Sequence, residues 1–108
     1  SQSLYEKYKR GEILTSHEAR FLTPSREFLL GAFNIIKSYM TWDFDIETLL
    51  IRANCPVERY CTMAVSLDVL CELGLIKREN DKIYFDGDGK KADLSQSEIL
   101  KNLNVRGE

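Results

Sequence analysis

The usual apparatus of catalysis is missing from this sequence. It contains no GxSxG, HExxH, P-loop or Rossmann glycine pattern. Its one histidine, His17, sits between Ser16 and Glu18 in a stretch read as irregular and is taken as a surface imidazole, poor material for acid–base work without a plausible catalytic partner. The three cysteines, Cys55, Cys61 and Cys71, form no CxxC pair, whereas zinc takes about four N or S ligands, usually paired closely along the chain. They read as buried thiols in a reducing cytoplasm, where the chain is expected to reside. Asp86-Gly87-Asp88-Gly89 superficially resembles a calcium loop. The places where an EF-hand needs an acid or amide, a glycine and a closing Glu hold Lys90, Lys91 and Ser97, so the stretch is read as a turn. No catalytic, cofactor-binding or metal-ligating residue is assigned.

Long apolar runs are missing too. None approaches the ~18 residues that span a bilayer, and the opening Ser1-Gln2-Ser3-Leu4-Tyr5-Glu6-Lys7 lacks the apolar centre of a signal peptide. There is no internal repeat and no low-complexity tract. The chain does not begin with Met, which is read as the mark of an excised fragment. Its 108 residues, 44% hydrophobic and 30% charged, are enough for one soluble domain with its own core.

Charge is unevenly spread. The net charge is -2, but residues 38–76 hold two Lys/Arg against six Asp/Glu, while residues 1–37 hold six against four and residues 77–108 seven against seven. The middle third is the part whose pattern suggests helix-turn-helix. A duplex-binding surface built on it would repel phosphates.

The pattern of apolar residues and stop signals gives an element order. A short helix over Leu4–Arg10 closes at Gly11. Residues 12–23 are expected to be irregular or to carry a short turn, anchored by Ile13, Leu14, Phe21 and Leu22. Thr23-Pro24 starts an amphipathic helix to Met40, with Phe28, Leu29, Ala32, Phe33, Ile35, Ile36, Tyr39 and Met40 on one face. Leu30 lies on the opposite side and is a candidate contact to a neighbouring domain. Trp42 and Phe44 connect to a second helix, Ile46–Asn54, capped by Asp45, whose stripe is Ile46, Leu49, Leu50 and Ala53. Cys55-Pro56 breaks it. A third helix, Pro56–Leu73, is stopped by Gly74. It is apolar nearly all round, which suggests packing on more than one side, and its Val65 and Val69 are candidate protein contacts among acids. Two β-prone runs, Leu75–Arg78 and Ile83–Phe85, flank a turn at Asn80-Asp81. Ser95 and Glu98 have capping-box spacing at the head of a last helix.

Three helices and a hairpin is the winged-helix order. The expected fold is therefore mainly α (α+β): a core over residues 24–85, an N-terminal extension over 1–23 and a C-terminal tail helix over 86–108. The third helix carries Arg59 against Glu58, Asp68 and Glu72, which is wrong for insertion into a groove of DNA. Lys77, Arg78, Lys82, Lys90 and Lys91 are the candidate nucleic-acid contacts, diluted by Glu79, Asp81, Asp86 and Asp88.

Four stretches resemble the C-terminal region of the bacterial RecJ family, single-stranded-DNA-specific exonucleases of the DHH phosphoesterase superfamily. They are YEKYKRGEIL (Tyr5 to Leu14), PSREFLLGAF (Pro24 to Phe33), VSLDVLCELGLI (Val65 to Ile76) and KKADLSQSEI (Lys90 to Ile99). The resemblance implies a non-catalytic appendage of a 5′-to-3′ exonuclease of recombination and repair. The family's catalytic core holds Mn²⁺ or Mg²⁺ on aspartates and histidines, a cluster with no counterpart in this sequence. The implied partners are that core and, beyond it, single-strand-binding protein or a helicase, with weak contact to single-stranded DNA and none to membrane. A stand-alone winged-helix transcriptional regulator is the rival reading.

Overall fold

The most buried stretch of the chain is the one that helix-turn-helix logic places on the outside. The computed structural model describes residues 2–38, 45–80, 82–85 and 93–106. Within these, helices α1 (Gln2–Lys9), α2 (Ser16–Leu22), α3 (Arg26–Ser38) and α4 (Ile46–Arg52) lead into a 3-10 turn at Val57–Arg59 and helix α5 (Tyr60–Glu72). Strands β1 (Ile76–Glu79) and β2 (Lys82–Phe85), a 3-10 turn at Leu94–Gln96 and helix α6 (Glu98–Arg106) follow. The protein is mainly helical with one small antiparallel pair of strands, an α+β arrangement.

Helix α5 is the axis. Cys61 through Leu67 are all buried, as are Val69 and Leu70. It packs against α1, α2, α3, α4, α6 and β1. A helix surrounded in this way cannot show one apolar stripe, and this is the physical content of its nearly uniform apolar pattern. Its two buried hydroxyls are satisfied by backbone: Thr62 donates to the Phe21 carbonyl at 2.7 Å and Ser66 to the Thr62 carbonyl at 2.8 Å. Val65 and Val69 are both 0% exposed. The expectation that they form a protein-contact face is corrected: α1 and α2 occupy the side of α5 that a bare three-helix core leaves open.

Helix α3 buries Leu29, Ala32, Phe33 and Ile36, the spacing of one helical face. Leu30 is half-buried. Helix α4 buries Leu49 and Leu50 and is capped as expected, with the Thr48 amide donating to Asp45 Oδ1 at 2.8 Å. Asn54 ends it at a φ of 52°, and the Cys55 amide donates to the Leu50 carbonyl at 2.9 Å. Gly74, at a φ of 74°, stops α5, with the Leu75 amide donating to Leu70. The hairpin pairs Ile76 with Phe85, Lys77 with Tyr84, Arg78 with Ile83 and Glu79 with Lys82. Buried Ile76 and Ile83 face the core together with half-buried Phe85, whose ring lies 5.9 Å from that of Phe33.

Four local expectations are corrected. Residues 16–22, read as irregular or a short turn, form a helix opened by a capping box: the Glu18 amide donates to Thr15 Oγ1 at 3.1 Å and the Thr15 amide to Glu18 Oε1 at 2.9 Å. His17 lies on that helix, exposed. Thr23 does not cap α3. Its hydroxyl donates back to the Ala19 carbonyl at 2.7 Å, while Ser25 accepts from the Phe28 amide at 3.1 Å and starts α3 at Arg26. Ser95 belongs to the turn held by Asp93, and the helix α6 cap is Ser97. Ile13, read as an anchor, is 92% exposed, because Leu14 takes the inward position. Tyr39, Met40, Trp42, Phe44, Asp81 and the stretch 86–91, with Lys90 and Lys91, lie outside the described residues.

Candidate interaction surface

Two features of the fold converge at the turn between α4 and α5. Helix α4 carries an apolar side chain off its buried face. Ile51 lies off the Leu49–Leu50 face and is 77% exposed, and Val57, in the following 3-10 turn, is 70% exposed. Large aliphatic side chains this open are informative when they adjoin an apolar concavity. They do: both line a groove of about 910 Å³. Its floor includes buried Leu50 and half-buried Phe21, Cys55 and Tyr60. Phe21 reaches it from the end of α2, which Thr62 fixes through the Phe21 carbonyl. Two carboxylates complete the lining, Glu47 of α4 and Glu58 of the 3-10 turn. Both are exposed. Neither has an ion-pair partner among the described residues.

Beyond the Cys55-Pro56 turn lies a second, smaller groove of about 410 Å³ with Phe28, Ala53 and Met63 in its walls. Arg59 lies over the Phe28 ring there, 5.4 Å from its centre. Cys55 lines both grooves, and burial pushes its thiol above the ordinary range, with the Arg59 charge opposing. A raised thiol is mostly protonated and a poor nucleophile at neutral pH. Cys71, also half-buried, is raised for the same leading reason, and Cys61 is buried.

Among the described hairpin cations, Arg78 is set apart from Lys77 and Lys82. Arg78 lies on the core-facing side of β1, where its guanidinium meets Asp68 Oδ1 at 3.2 Å. Lys77 is exposed on the other side, and Lys82 lies across the ladder from Glu79. Asp68 is the polar centre of this region. Its carboxylate, 12% exposed, accepts from the Tyr5 hydroxyl at 2.7 Å and has Lys9 at 3.6 Å. Burial, then the Asp68 hydrogen bond and charge, raises the Tyr5 phenol above its ordinary value, with Arg78 opposing.

Among the described residues no three His, Cys, Asp or Glu side chains gather as a metal-holding group, and no helix is long and apolar enough to cross a membrane. Sequence reasoning missed the groove. The available signal was that Ile51 falls outside the stripe of its own helix. No protein-family model, curated protein or solved structure matches the chain.

Proposed function

We propose that this chain is a non-catalytic accessory domain of a RecJ-like exonuclease, of winged-helix type, acting through contact with another polypeptide. The succession α3, α4, α5, β1, β2 supports the winged-helix part of the reading. The resemblance of four ordered stretches supports the parentage, and the parent's catalytic core is the first candidate partner, ahead of single-strand-binding protein or a helicase. Mn²⁺ or Mg²⁺ chemistry then belongs to that core, and the domain itself supplies a surface.

One observation carries the contact reading: the exposed Ile51 and Val57 beside an apolar groove whose rims bear Glu47 and Glu58. In a duplex-binding helix-turn-helix, this end of the third helix meets base edges and phosphates and needs Arg, Lys, Asn or Gln. Here it offers aliphatic surface and negative charge. The stand-alone regulator therefore has little to bind with, since α5 is enclosed on most sides.

Two measurements test the proposal. The purified chain with Mn²⁺ is expected to leave 5′-labelled single-stranded DNA intact and to show no salt-steep binding to duplex DNA. Hydrolysis, or tight sequence-specific duplex binding, overturns it. The reading frame upstream of Ser1 is expected to encode an Asp-His-His motif, and a frame without one refutes the parentage.

A further inference from the structure

The groove between α4 and the start of α5 has a chemistry more specific than "apolar". Most of its lining is aliphatic and aromatic, and two different elements, α4 and the 3-10 turn, each add an exposed carboxylate, Glu47 and Glu58. Among the described residues no cation lines it: Arg59 is held over Phe28 in the neighbouring groove, and Arg78 is tied to Asp68. A partner that fills the floor must place its own flanks beside these two acids. Acidic flanks are repelled there, neutral flanks leave the acids partly desolvated without a partner, and basic flanks complement both.

The backbone around the groove limits the shape of the occupant. Three amides at the end of α4 and in the following turn are already used: Asn54 donates to Ile51, Cys55 to Leu50 and Arg59 to Pro56. Among the described residues no sheet edge lines the groove, so an added strand has no ladder to join there. Walls made of a helix and a 3-10 turn suit side-chain anchors repeating every three to four residues on a docked helix. A volume of about 910 Å³ is within the ~300–1,000 Å³ range of clefts that enclose ligand groups, enough for several apolar side chains.

We infer that this groove is a docking site for a short amphipathic helix of another polypeptide, whose apolar face seats over Leu50, Ile51, Phe21 and Val57 and whose lysine or arginine flanks meet Glu47 and Glu58. The inference shares with the functional proposal only the premise that this face meets a polypeptide. It holds whichever parent carries the domain, so a missing Asp-His-His motif refutes the parentage and leaves the groove untouched.

The test uses the 108-residue chain with labelled Ile, Leu and Val methyl groups and three synthetic helical peptides. The peptides share one Leu/Ile stripe and differ in carrying Lys, Gln or Glu flanks. The Lys-flanked peptide is expected to shift the methyl signals of Leu50, Ile51 and Val57. It is expected to bind roughly tenfold tighter than the Glu-flanked one at low salt, the sum of two exposed ion pairs and the matching repulsions, and the gap narrows as salt rises. Glu47→Lys with Glu58→Lys is expected to reverse the order of the peptides, and Ile51→Ser with Val57→Ser to abolish binding of all three. These four side chains are exposed, so the variants fold. Equal affinity for Lys and Glu flanks, an order that survives the charge reversal, or shifts confined to another face overturns the inference. So does a concentration-dependent shift of the groove methyls without peptide, which assigns the groove to a second copy of the chain. Displacement of the Lys-flanked peptide by single-stranded DNA overturns it as well.

Discussion

Asp68 holds together two segments far apart in the chain. It projects from α5 and takes a hydrogen bond from Tyr5, with Lys9 beside it on α1 and Arg78 reaching it from β1. A carboxylate at 12% exposure with these partners is well compensated, and removing its charge leaves Arg78 and the Tyr5 hydroxyl short of an acceptor. Asp68→Ala is expected to cost about 1–3 kcal/mol in urea unfolding and to speed hydrogen exchange in α1 more than in α3. The phenol gives an alkaline signature. A phenol raised in the folded state contributes stability that is complete below its unfolded pKa of 10.0 and is lost as pH rises toward the higher folded value. Stability should therefore fall above about pH 10 more steeply in the parent chain than in Tyr5→Phe, measured as the difference between their urea midpoints from pH 8 upward.

The helix ends show where the sequence could and could not be read. Helix α6 is opened by Ser97, buried, which accepts from the Leu100 amide at 3.1 Å and donates to Glu72 Oε1 at 2.6 Å. The other Glu72 oxygen accepts from the amides of Glu98 at 3.0 Å and Ile99 at 3.2 Å. The last residue of α5 thus caps the first turn of α6 and brings a negative charge to its positive end. Ser97→Ala should cost about 1 kcal/mol. Glu72→Gln, which keeps an acceptor but removes the charge, should cost less than Glu72→Ala, with α6 amide exchange as the common readout. No local spacing announces this cap, because the donor and acceptor are separated by 25 residues. Ser95 with Glu98 has the spacing, but Asp93 is close enough to claim Ser95 first. The opposite error occurs at Thr15: its capping box with Glu18 is fully local, yet α2 is too short to display a convincing stripe. A local signal was legible where a clear stripe or stop stood beside it, as for α4 from Asp45, the α5 stop at Gly74 and the hairpin around Asn80. The Glu72 cap, fixed by a distant partner, was not.

At the level of the whole chain, the same ambiguity of α5 decides between two surfaces. A helix apolar all round is compatible with a contact face or with burial, and the sequence places acids on it in either case. The fold resolves this by wrapping α1, α2 and α6 around the helix and leaving Ile51 and Val57 exposed beside the groove, with Ile13 exposed elsewhere. Mutation should separate the two regions cleanly. Leu67 and Leu70 are 0% exposed, and truncating either to Ala removes buried methyl groups from a close-packed centre, an expected loss of about 2–5 kcal/mol. For a domain of this size each kcal/mol lowers the melting temperature by roughly 4–8 °C, so either variant should be visibly destabilised by calorimetry. Ile51→Ser and Val57→Ser remove side chains already in water, so their shifts should stay within about 0.5 kcal/mol. A calorimetric series in which Ile51→Ser proves as damaging as Leu67→Ala would place Ile51 in the core, and the groove would then lose its strongest claim to be a binding surface. The contrast matters because a partner site must be expendable to the fold that carries it, and among the described residues the α4–α5 turn combines apolar exposure, unpaired charge and that independence.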